Sequence, residues 1–68
     1  MFMDGSRGSL EQAYGQLNSR NSFIVVDGSY HRITDIVGEH FNFCVTTVDE
    51  FGRYHNYVMP GHTQVEFH

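Results

Sequence analysis

The pattern of apolar and polar positions changes once along the chain, from a helical period to a strand period. Leu10, Ala13, Tyr14 and Leu17 recur at helical spacing, and Ser9 followed three residues later by Gln12 makes a capping box, with Glu11 in the first turn. The spacing predicts a helix over residues 9–19. Gly15 weakens it by about 1 kcal/mol relative to alanine, so its apolar stripe needs something to rest on.

From Ser22 onward β-branched and aromatic residues alternate with turn signals at Asp27-Gly28, Gly38-Glu39, Asp49-Glu50-Phe51-Gly52 and Pro60-Gly61. Five short strands fit between them, at 22–27, 30–37, 41–48, 53–59 and 63–67. In the third, Phe41, Phe43, Val45 and Thr47 share one face while Asn42, Cys44, Thr46 and Val48 share the other. Both faces are fairly apolar, which reads as a central strand with Cys44 as a small buried hydrophobe. Asp27-Gly28 suits a tight hairpin, and Pro60-Gly61 suits a short, sharply bent link between the last two strands. The reading is mainly β: an N-terminal helix, supported on the open end of a five-stranded, strongly bent small barrel of SH3 type. Residues 1–8 read as a flexible leader and 9–68 as one domain.

At 68 residues the chain buries only about 60% of the surface it exposes when unfolded, so its core is thin. A single cysteine excludes an internal disulfide, and no Cys-x-x-Cys pair holds zinc, which leaves oligomerisation as the common remaining route to stability. No apolar run approaches membrane-spanning length and the start lacks the pattern of a signal peptide, so the expected setting is cytoplasmic. Eight acids against four arginines, without lysine, give a net charge of −4. That balance argues against sequence-blind attraction to phosphate backbones while permitting local arginine contacts.

Phe41-Asn42-Phe43-Cys44-Val45 and Met59-Pro60-Gly61-His62-Thr63-Gln64-Val65-Glu66-Phe67, in their order behind a helix, resemble the two motifs of the Sm-like family, including its bacterial Hfq branch. The resemblance runs from Ser9 to Phe67. Three departures stand out: the mid-strand glycine of the family is replaced at Arg32 or Ile33, its aspartate before the Asn by Gly38-Glu39, and its arginine before the second-motif glycine by Pro60. Without that mid-strand glycine, Gly38 is the expected source of the bend.

The resemblance implies a homo-oligomeric ring of about five to seven subunits that binds short single-stranded RNA, U- or A-rich, in an RNA-chaperone or RNA-processing role. Ring closure would pair Arg53–Met59 with Thr63–Phe67 of a neighbour, placing Tyr54, Tyr57, Val58, Met59, Val65 and Phe67 at the interface. At the pore Phe41 would stack a base, Asn42 would read its edge and Gly61 would admit its backbone. His62, with Arg32 and Arg53, would touch sugar or phosphate. Each residue also has a plainer role: Asn42 as a strand-end side chain bonded to nearby backbone, Phe41 as core or interface, His62 as a turn residue. The rival reading is an acidic SH3-like barrel, of phage type, that binds protein through aromatic and acidic surface and takes no RNA.

No cofactor or metal is expected, since His31, His40, His55, His62 and His68 lack ligand spacing. No nucleophile elbow, phosphate loop or paired-carboxylate cleft suggests an enzyme.

Overall fold

Strand formation begins earlier than the apolar pattern indicates. The computed structural model describes residues 6–17 and 21–68, and in it the order is β1 (Ser6–Ser9), α1 (Leu10–Gln16), β2 (Ser22–Val26), β3 (Ser29–Glu39), β4 (Asn42–Val48), β5 (Tyr54–Pro60) and β6 (Gln64–Phe67). The last residues of the expected leader are therefore a strand: Ser6–Ser9 runs antiparallel along the whole of β6, from Ser6 opposite Phe67 to Ser9 opposite Gln64. Gly8 makes this approach possible, because a Cβ there would sit 2.7 Å from the Phe67 ring.

All six strands form one antiparallel sheet in the order β1-β6-β2-β3-β4-β5. β1 and β5 are its two edges and do not pair with one another, so the five-stranded, strongly bent barrel expected from the sequence, closed or nearly closed, is replaced by a six-stranded open sheet. The sheet is nonetheless curled. Four strand spacings of about 4.8 Å, some 19 Å when flat, separate β5 from β6. The four residue steps from Pro60 to Gln64 reach about 14 Å at most.

Part of the curl comes from a bulge in β3. The register to β4 slips between Ile33 and Asp35, leaving Thr34 as the extra residue. Its hydroxyl donates to the Thr46 carbonyl at 3.2 Å. Burial changes phase at the same place, from His31 and Ile33 to Ile36. The bend thus lies at Thr34 and not at Gly38, which is inside β3 and faces the Phe43 ring, 3.1 Å from where its Cβ would be. The β3–β4 turn shifts accordingly to His40-Phe41, with His40 in the left-handed region (φ 56°). Asp27 and Gly28 (φ 50° and 81°) form the expected two-residue hairpin turn between Val26 and Ser29.

Helix α1 is shorter than residues 9–19, with residues 18–20 outside the described part, but its start is as expected. The Ser9 side chain accepts from the Gln12 amide, and the Gln12 side chain accepts from the Ser9 amide at 3.0 Å. Leu10 and Ala13 are fully buried, and the Leu10 amide donates to the Thr63 carbonyl at 3.0 Å, fixing the helix on the β5–β6 link. The core joins these two to Ile24, Ile33, Ile36, Phe43, Val45, Val65 and Phe67 on the concave face of the sheet. Among the described residues no helix is long and apolar enough to cross a membrane.

Candidate binding face

The residues expected to touch RNA fall into two groups. The Gly61 amide donates to the Phe41 carbonyl at 3.0 Å and Asn42 pairs with Pro60, so Phe41, Asn42, Gly61 and His62 gather at one end of the sheet. Phe41 is 91% exposed there. Arg32, opposite Val48, and Arg53, whose amide donates to Asp49, lie at the other end of β4, about 20 Å away along seven strand residues. Gly61 also has a packing role: a Cβ there would be 3.0 Å from the Phe43 ring and 3.4 Å from the Phe41 carbonyl oxygen.

The expected interface residues divide in the same way. In β5, Tyr54 and Val58 point outward and are 71% exposed each, while Tyr57 and Met59 turn inward against the core. In β6, Val65 and Phe67 are buried in the core. β1 pairs with all of β6 on one side and β2 pairs with Glu66 and Phe67 on the other, so for the expected pairing of residues 53–59 with a neighbour's 63–67 only the Gln64–Val65 part of β6 has no strand beside it among the described residues.

Nothing among the described residues covers the convex face of the sheet, and its side chains align in rows across the strands. Phe23, Arg32, Val48 and Tyr54 form one row with Glu66 and Arg7; Val37, Cys44 and Val58 form another. Cys44 is consequently exposed, contrary to the buried role expected for it, because the face it shares with Asn42 and Thr46 is the solvent face. Three rings meet beside the first row. Phe23 lies edge-on to Tyr30 at 6.1 Å between centroids and to His68 at 4.9 Å, and Tyr30 is 6.5 Å from His68. With Asn21 these rings line a shallow depression. Phe23 also borders two others, one reaching Arg32, Asp49 and Glu50, the other Arg7, Gln64 and Glu66.

The sequence reading missed this cluster because Phe23-Ile24-Val25-Val26 is apolar in both phases and does not reveal which side faces out. The available signal was Tyr30 and Arg32, which alternate with the buried His31 and Ile33 and so place their cross-strand partners Val25 and Phe23 outside.

Carboxylates border the rings. Asp49 organises the β4–β5 loop: one oxygen accepts from the Phe51 and Arg53 amides at 2.9 Å each, and the other lies 2.9 Å from His55 Nε2. The His55 contact first, and then the backbone amides of Arg53 and Phe51, hold its carboxyl down at about 2, against an ordinary 3.8. Glu66 lies 3.9 Å from Arg7 and 4.0 Å from His68.

Thr47 pairs across the strands with His55, which gives a Thr-His-Asp series together with Asp49, but the Thr47 hydroxyl is fully buried and makes no hydrogen bond to another group among the described residues. Such a hydroxyl has neither a base nor access to substrate. Behind His55 the His31 ring, 7% exposed, lies 5.3 Å away between centroids. Among the described residues no group of three or more His, Cys, Asp or Glu is placed to hold a metal ion.

Compared with known proteins, the chain matches no family model, no curated protein and no solved structure.

Proposed function

We propose that this chain is a protein-binding module without catalytic activity, an SH3-like curled sheet whose convex face takes an extended, basic segment of another protein. The observation that carries this reading is the ring triad of half-buried Phe23 with exposed Tyr30 and His68, bordered by Asp49, Glu50 and Glu66 as well as by Arg7 and Arg32. Aromatic rings give flat, rigid contact surfaces to proline rings and to the guanidinium groups of arginine, and adjacent carboxylates favour cations. A chain of net charge −4 without lysine complements a basic partner and repels an acidic one.

A second reading keeps the Sm-like ring of about five to seven subunits with single-stranded RNA, U- or A-rich, at the Phe41 end. Its support is the almost complete exposure of Phe41 beside Asn42 and Gly61, since a ring standing free in water suits base stacking. The remote positions of Arg32 and Arg53 weigh against it, because they leave that end without an arginine from this pair for phosphate.

One titration series separates the two. A fluorescent peptide of alternating proline and arginine is expected to bind, and Tyr30→Ala should weaken it about tenfold, equivalent to about 1.4 kcal/mol. A peptide affinity unmoved by Tyr30→Ala would reject the first reading. Binding of oligo-U or oligo-A at low salt, lost with Asn42→Ala, would establish the second.

A further inference from the structure

We propose that β5 is a docking strand for β5 of a second copy of this chain, joining two sheets edge to edge in antiparallel register about a two-fold axis. The strand itself carries this pairing, whatever the convex face binds.

Among the described residues β5 pairs with β4 alone, from Tyr54 opposite Val48 to Pro60 opposite Asn42, and its other side meets no strand. An unpaired row of backbone amides and carbonyls is a template for another strand, and proteins that remain single blunt it with charge, proline, bulges or shortness. β5 has almost none of these. It runs seven residues, Tyr-His-Asn-Tyr-Val-Met-Pro, without Asp, Glu, Lys or Arg; its register to β4 is unbroken; its one proline is the last residue. The opposite edge, β1, is only four residues long and carries Arg7.

Charge selects the partner and the direction. Each copy has a net charge of −4, so two copies approach with least repulsion along a border without acidic side chains, and β5, which has no Asp, Glu, Lys or Arg, is such a strand at an edge. Parallel alignment would bring the two Asp49–Arg53 loops, each a net −1 from Asp49, Glu50 and Arg53, side by side. Antiparallel alignment puts them at opposite ends of a strand about 20 Å long, beyond the roughly 10 Å over which 0.1 M salt leaves charges in communication. Full overlap of the seven residues puts the axis at Tyr57, with Tyr54 opposite the partner's Pro60 and Asn56 opposite the partner's Val58. The contact is isologous and therefore closes at two, which distinguishes it from a ring.

Sedimentation equilibrium over a range of concentrations tests this. The expected result is a species of twice the 7.8 kDa chain, dissociating on dilution. Val58→Lys leaves the core untouched, because that side chain faces solvent, and sets like charges diagonally across the axis; it should weaken the dimer at least tenfold with an unchanged far-ultraviolet spectrum. Hydrogen exchange needs no variant: the outward-pointing amides of β5 should slow as concentration rises, while those of β1 do not. A monomer at all concentrations, a five- to seven-fold species, a dimer indifferent to Val58→Lys, or β5 amides whose exchange ignores concentration would each overturn the proposal.

Discussion

The two edges of this sheet solve the same problem in opposite ways. β1 is four residues long, carries Arg7, and passes at once into a helix whose capping box begins at its last residue, Ser9. β5 is seven residues long and has no Asp, Glu, Lys or Arg, and it shows Tyr54 and Val58 to solvent. One edge is shortened, charged and tied down by Leu10 under the fold; the other keeps an unbroken register to β4 and, among the described residues, has no strand on its outer side. A thin-cored domain that protects one edge and leaves the other intact keeps the second available for association.

The largest expected effect comes from untying the protected edge. Leu10 is fully buried directly after β1, so Leu10→Ala should cost about 2–5 kcal/mol in urea unfolding, as core truncations do. An effect below 1 kcal/mol would mean that α1 and β1 contribute little to the fold. Gly8→Ala comes next, at about 1–3 kcal/mol, because the added carbon meets the Phe67 ring and the Gln12 side chain. Its specific signature is faster exchange of the β1 and β6 amides with β5 unchanged. Ser9→Ala, which removes the cap, should cost about 1 kcal/mol.

The contrast between edges also marks how far the sequence could be read. The five strands between residues 22 and 67, the capping box and the Asp27-Gly28 turn were legible because alternation, cap chemistry and positive-φ dipeptides are local signals. β1 was not, since Ser-Arg-Gly-Ser has no apolar alternation and its strand state comes wholly from pairing with β6, more than fifty residues away. The β3 bend was assigned to Gly38, whereas Thr34 makes it; a bulge leaves only a phase change in burial, which a Thr-Asp pair at that point obscures. In the candidate site, adjacency at the Phe41 and Gly61 end was expected only as what the family resemblance implies, not from any local signal. The separation of Arg32 and Arg53 from it depends on strand direction, and the outward orientation of Phe23 depends on the pairing with β3.

The smallest expected effect is at the acid end of the pH scale and tests whether the open edge is rigid before a partner arrives. Asp49 titrates at about 2 in the fold against 3.8 as its ordinary value, so the folded state favours the carboxylate. The stabilisation is complete above the ordinary value, declines as pH falls through 3.8 towards 2, and is lost below about 2, where the carboxyl is protonated in folded and unfolded chains alike. The carboxyl carbon of Asp49, followed by NMR, should show a midpoint near 2; a midpoint near 3.8 would mean that the bonds to His55, Arg53 and Phe51 do not persist in solution. Because the Arg53 and Phe51 amides close the loop that launches β5, Asp49→Asn should speed exchange first at the Tyr54 end of β5 and leave the Pro60 end, fixed by the Gly61 to Phe41 bond, as it was. Uniform loosening along β5 would instead show that the strand is held by β4 alone, so that a partner would have to straighten the edge as well as bind it.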